Sequence, residues 1–174
     1  YTLPNSGVPQ RVAVAVTDIK QYQSNDNVTT SIGQRIEMWR TAWSLSSRHI
    51  WLGLGRSGYM AAKQQLAEEG KMDKMIKDHT NAHNDYLDAL VKRGITGVMA
   101  LLALFLVPLA LFARSVRHSA APAQPYALAG VILCTCYMIF GLTTSSLTLN
   151  IGIIMLAFPM VILWAMLRHQ ERTS

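Results

Sequence analysis

The chain has 174 residues, 51% hydrophobic and 15% charged, with a formal net charge of +6 and a mean hydropathy of +0.21. A soluble domain usually carries about a quarter charged residues, so the composition disfavours an ordinary cytosolic enzyme. It also excludes a disordered chain and a disulfide-stapled mini-protein.

The charge is unevenly spread: residues 1–93 hold twelve of the sixteen Lys/Arg and nine of the ten Asp/Glu. The chain starts at Tyr1 with no signal-peptide pattern behind it, which reads as the C-terminal piece of a longer membrane protein. Residues 1–30 are polar and featureless, and Val12–Val16 fits a short strand or a helix turn equally well. Ser31-Ile-Gly-Gln34 has capping-box form and predicts a helix ending near Ser47 to His49. Along it Arg35, Trp39, Ala42 and Trp43 share a face, flanked by Met38 and Leu45.

Gly53-Leu-Gly-Arg-Ser-Gly58 matches a dinucleotide fingerprint by letter. That fingerprint needs a βαβ unit and an acid about 20 residues on. Asp78 stands at that distance, but no second strand lies between. The glycines read instead as a turn between helices, one that approaches a ligand or the bilayer closely. A second helix is predicted over 57–69, closed by Gly70, and the Lys/Asp-rich piece 71–78 reads as a solvated loop.

Gly94 to Ala113 is an uncharged run of about 20 residues, enough for one span, with Pro108 predicting a kink. Ser119 to Leu167 is uncharged over about 50 residues, which suits two spans joined by a turn at 143–150. The expected spans are 94–113, 126–145 and 151–167. Arg114 and Arg117 follow the first; Arg168 and Arg172 follow the third. Positive charge marks cytoplasmic ends, so the C-terminus is expected in the cytoplasm and residues 1–93 on the opposite face, the periplasm in a bacterium. The expected fold is all-α: a helical loop domain over 1–93, then three transmembrane helices over 94–174. Cys134 and Cys136 point in different directions on such a helix and read as packing residues. With half the chain lipid-soluble, the basic excess points to a membrane surface or a phosphorylated lipid, not to nucleic acid.

The densest chemistry lies in Asp78-His-Thr-Asn-Ala-His-Asn-Asp-Tyr-Leu87. His79 and His83, four apart, have metal-ligand spacing, with Asp85 or Asp88 available to complete a site. However, the Glu of the H-E-x-x-H motif is absent, and no Cys or third His is near. Alternatively, Thr80 or Asn81 caps a helix running to Arg93 and places His83 in its first turn. The positive helix end there disfavours imidazolium, and a neutral imidazole is what a general base requires. A surface or capping histidine is the third reading.

His83-Asn84, nine residues, then Gly94-x-x-Gly97 forms the pattern His-Asn-x9-Gly-x-x-Gly. Upstream stand Arg35-Ile-Glu-Met-Trp39 and Gly53-Leu-Gly55. Together these resemble the O-antigen ligase superfamily of bacterial inner-membrane glycosyltransferases, over roughly residues 30–113. The resemblance implies a donor glycan on undecaprenyl pyrophosphate and an acceptor hydroxyl on lipid A-core, joined in the periplasm without nucleotide, metal or other cofactor. It also implies His83 as base and Arg35 on the pyrophosphate. Asn84 can orient His83 or bond the glycan; Arg40 and Arg56 are reserve substrate-binding cations that otherwise read as solvated surface residues; Trp39 can stack on sugar or lipid, or serve as a packing or interface anchor. O-antigen polymerase and protein O-oligosaccharyltransferase share this logic. A transport or structural subunit without chemistry is the alternative from another class.

Overall fold

The computed structural model describes residues 7–25 and 30–173. Six α-helices follow in chain order, and no strand is present among the described residues. Helix α1 spans Val8–Asn25. It corrects the featureless reading for that stretch, of which residues 1–6 and 26–29 lie outside the described residues. Pro9 falls in the first turn, where a missing N–H costs nothing, and Val12–Val16 is helical. Tyr22 ties α1 to α2 through a 2.8 Å bond from its hydroxyl to Glu37 Oε2.

Helix α2 (Ser31–Ser46) is capped by Thr30, whose hydroxyl accepts from the Gly33 N–H at 3.0 Å. Its buried face is Gly33, Glu37, Met38, Thr41, Ala42 and Ser46. This corrects the expected face: Trp43 is 64% exposed, and Arg35 and Trp39 are only half-buried. Small residues at 33, 41, 42 and 46 let neighbours approach closely, so the packed face follows them and not the tryptophans. Helix α3 (Gly55–Glu68) lies where expected, with Gly70 at φ +67° just beyond its end. The segment 71–78 is not simply a solvated loop. Met72 and Ile76 are buried against Met38 and Ala67, and residues 74–76 form a 3-10 turn.

Helix α4 runs from Asp85 to His118 without stopping at Pro108. Its one non-helical residue is Gly94, at φ 67° and ψ −160°. A break in the helix therefore falls where the uncharged run begins, while Pro108 is carried inside the helix. Helices α5 (Gln124–Phe140) and α6 (Asn150–Thr173) complete an up-down-up bundle with α4. By length and composition α4 and α6 are apolar enough to cross a bilayer, and α5 is a shorter apolar helix. The connection 141–149 begins earlier than the expected end of the second span, and α6 continues past Leu167 to Thr173. Gly130 sits under the Phe112 ring so closely that a Cβ there would overlap it, and Trp164 meets Phe112 edge-on at 5.5 Å. Small residues at such crossings are how apolar helices gain contact where no water is expelled. Cys134 is buried in this cluster, and both cysteines are free.

Two glycines join the α2–α3 connection to α4. Gly53 (φ +68°) presses on the backbone of Lys92 and Arg93, and Gly94 presses on that of Ile50 and Trp51. Two hydrogen bonds complete the joint: Ile95 N–H to the Ile50 carbonyl at 2.7 Å, and Leu54 N–H to the Val91 carbonyl at 2.8 Å. Of the glycines in the Gly-x-Gly-x-x-Gly letters, Gly53 thus builds the joint between this connection and α4.

Candidate functional site

Asn84, not Thr80 or Asn81, caps α4. Its side-chain oxygen accepts from the N–H groups of Tyr86 and Leu87, both at 3.0 Å. His83 therefore stands just before the helix rather than one turn into it. Its φ of 49° lies in the left-handed region that favours glycine. The Asn81 side chain accepts from the His83 N–H at 3.3 Å and supports this turn.

Two charged groups brace the loop, Asp88 from α4 and Lys63 from α3. Asp88 accepts from the Ala82 N–H at 2.9 Å with one oxygen and pairs with Lys92 at 2.6 Å with the other. Lys63 is fully buried and donates to the His79 carbonyl at 2.6 Å, with its ammonium 5.3 Å from the Tyr59 ring centre. Burial pushes the Lys63 ammonium down to about 8 and raises the Tyr59 phenol.

The connection between α5 and α6 braces the other side. Asn84 N–H donates to the Ser145 hydroxyl at 3.1 Å, and its amide donates to the Leu142 carbonyl at 2.9 Å. Asp85 N–H reaches the Gly141 carbonyl at 2.8 Å, while its carboxylate accepts from Leu147 N–H at 3.3 Å. Tyr86 bonds the Met138 carbonyl at 2.9 Å. A loop strained at His83 is thus fastened to both the helical layer and the apolar bundle, which is the setting in which local strain persists.

Burial, then the neighbouring His79 and Arg35, hold the His83 imidazole below its ordinary range; Asp88 acts weakly the other way. The folded chain therefore brings His83 and Arg35 into one electrostatic neighbourhood across 48 positions of sequence. Arg35 has no carboxylate partner among the described residues. The His79 and His83 rings stand edge to face, 5.9 Å between centres. Among the described residues no three His, Cys, Asp or Glu side chains gather as a metal would require.

The remaining sequence candidates divide. Trp39 packs against the cluster of Ala42, Tyr59, Ala82 and Val91, and its indole nitrogen is buried with no hydrogen-bond partner among the described residues. Arg40 lies 3.9 Å from Glu37. The polar atoms of Asn84 are taken by the cap and by Leu142. Arg56 stands elsewhere, on a cleft of about 920 Å³ between α4 and α6. Arg56, Lys92, Arg93, Thr80 and Asn81 line its polar end, and Leu101, Leu104, Ile153, Leu156 and Met160 its apolar end. Asp85 is also on this cleft, buried, with one carboxylate oxygen unpartnered.

Sequence reasoning missed the bracing residues Lys63, Tyr59 and Ser145, and took Asp88 only as a metal ligand. One signal was available. Tyr59, Lys63 and Ala67 are four apart on one face of α3, and a lysine on such a stripe must find a buried acceptor. Nothing local in the sequence marks Ser145 as a partner of Asn84.

A family model described as O-antigen ligase matches residues 10–102, which take in α2, α3, the His83 loop and the Gly94 joint. Over 151 residues the chain is 28% identical to an uncharacterized protein of Haemophilus influenzae. The match covers 87% of this chain but only 38% of that relative, so the chain spans well under two thirds of its length.

Proposed function

The chain belongs to the O-antigen ligase family, whose members are membrane glycosyltransferases, and on that premise we propose that it transfers a glycan from undecaprenyl pyrophosphate to a sugar hydroxyl of lipid A-core, with His83 as general base and Arg35 on the pyrophosphate. The observation that carries the reading is the pairing of a neutral-biased imidazole with a cation that has no described acidic partner.

The step balances simply. The acceptor oxygen attacks the anomeric carbon of the donor and gives its proton to the His83 imidazole. The bond from that carbon to the pyrophosphate oxygen breaks, and undecaprenyl pyrophosphate departs with the bonding pair. A base below its ordinary range is unprotonated at neutral pH and ready to accept. The departing oxygens gain negative charge, and a guanidinium offers them a planar two-pronged contact. Charge stabilisation by arginine gives a metal no necessary role.

The cleft between α4 and α6 supports the lipid half of the reading. One end carries Arg56, Lys92 and Arg93 against the carboxylates of Asp85 and Asp88, a net positive charge, and the other is hydrocarbon, as a lipid with an anionic head requires. The polar end adjoins Thr80 and Asn81, three and two residues before His83. We place the loop on the periplasmic face, the C-terminus in the cytoplasm and the protein in the bacterial inner membrane. The Arg pairs at 114/117 and 168/172 support that orientation.

The test is transfer by the full-length protein reconstituted with a lipid-linked glycan. Lipid A-core as the acceptor that is consumed supports ligation. A second lipid-linked repeat consumed in its place makes the protein a polymerase, and a polypeptide consumed makes it an oligosaccharyltransferase. Undiminished turnover by His83→Ala and Arg35→Ala together would remove the site altogether.

A further inference from the structure

Ile50, Trp51 and Leu52 form the tip of the α2–α3 connection and are 46%, 74% and 77% exposed. Three consecutive apolar side chains facing out of a fixed turn are unusual on a water-exposed surface. The turn is fixed by the joint described above, which clamps it to residues 91–95 through two hydrogen bonds and two glycine contacts. Those residues mark the level at which charge disappears from α4: Lys92 and Arg93 precede Gly94, and no charged residue follows until Arg114. Around the tip, Arg56 and Arg93 are exposed, and neither has a carboxylate partner among the described residues.

We propose that residues 50–52 are a membrane-interface anchor, with Ile50, Trp51 and Leu52 entering the bilayer at the boundary between headgroups and acyl chains while Arg56 and Arg93 meet lipid phosphates. The occupant is the lipid surface because the tip is continuous with the start of an apolar helix long enough to span it. The order of residue types is also that of the interface: apolar and aromatic side chains at the level of the last charges, arginines beside them. The anchor rests on α4 being a span; Arg56 and Arg93 also line the cleft given to the donor lipid, so the experiment reads Trp51 alone, whose depth can fail without the glycosyl-transfer reading failing. Its consequence is positional. Because the turn is bonded to Val91 and Ile95, it fixes the depth of α2 and α3, and with them Arg35 and the His83 loop, relative to the bilayer.

The experiment compares tryptophan fluorescence of the full-length protein and its Trp51→Phe variant in vesicles of phosphatidylglycerol and phosphatidylcholine. The lipids are brominated either near the ester end or near the methyl end of the acyl chains, and aqueous acrylamide is the counter-probe. The difference between the two proteins isolates Trp51 from the other tryptophans. The expected difference signal is quenched more strongly by shallow bromine than by deep bromine, and is shielded from acrylamide. A signal open to acrylamide and indifferent to bromine puts the tip in water. A signal indifferent to both puts it against protein. Either result overturns the anchor.

Discussion

Gly53 and Gly94 interlock: Gly53 lies against the backbone of Lys92, Arg93 and Gly94, and Gly94 against that of Ile50 and Trp51, with no room for a Cβ on either. Both have φ near +68°, and Gly94, with ψ −160°, lies in a region essentially reserved for glycine, where an L-residue costs about 1–3 kcal/mol before any clash is counted. Gly55 shares the positive φ, at +70°, but a Cβ there meets nothing within 4 Å. Gly55→Ala should therefore show the conformational cost alone, and Gly53→Ala and Gly94→Ala should lose distinctly more. The thermal midpoints of the three full-length variants in detergent check this; equal losses at all three positions would mean that the joint contributes nothing.

The sequence announced some of this arrangement and concealed the rest. Run length alone located the turn before α6, observed at 141–149 against the expected 143–150, because a bilayer imposes a length that local sequence must meet. Helix ends were less legible. Thr80, Asn81 and Asn84 are all acceptable caps by residue type, and Asn84 prevails because its amide also reaches Leu142, 58 positions away. Periodicity grouped Arg35, Trp39, Ala42 and Trp43 on one face of α2, but only Ala42 of these is buried, and nothing in the spacing revealed that Trp43 would be left out. At the site the residue types were readable and the neighbourhood was not. That Arg35 lies near His83 depends on how α2 packs against α4, a tertiary contact no local pattern encodes.

Asp88 joins the His83 loop to Lys92 with little exposure to water; the Lys92 and Asp88 side chains are 13% and 5% exposed. Removing one partner of a buried pair leaves an uncompensated charge, typically at about 3–5 kcal/mol. Asp88→Ala should therefore lower the thermal midpoint strongly. Asp88→Ala combined with Lys92→Met should recover part of the loss, since the stranded ammonium goes as well. A double variant no more stable than Asp88→Ala would place the damage at the Ala82 N–H instead.

The depressed His83 value predicts the pH dependence of transfer. An ordinary histidine titrates near 6.5, and burial with His79 and Arg35 moves His83 lower. The working form is neutral, so activity is retained down to the depressed folded value and lost as pH falls through it. Stability follows the same sign, because the unfolded chain takes up this proton first. His79→Gln removes one of the depressing neighbours and should move the acid limb of kcat/KM to higher pH while leaving the plateau near wild type. His83→Ala should instead lower the plateau by about 10²–10⁴. If EDTA abolished transfer and both histidine variants were equally inactive, the pair would be acting as metal ligands.

Arg35 has two separable effects, its charge on His83 and its two-pronged contact with phosphate. Arg35→Lys keeps the charge and loses the planar fork. A hydrogen bond to a charged group contributes about 1.5–3 kcal/mol, which corresponds to roughly a ten- to hundred-fold loss in kcat/KM. The acid limb should stay in place in that variant, because a cation still faces His83. Arg35→Ala should lose at least as much rate and also move the limb to higher pH, since one cause of the depression is gone. The pH–rate profiles of wild type, Arg35→Lys and Arg35→Ala, measured at equal amounts of membrane-inserted protein, distinguish the effects. A lysine variant with wild-type kcat/KM would reduce Arg35 to a point charge that tunes the base. An alanine variant with an unmoved limb would show that Arg35 and His83 do not act on each other in the working enzyme.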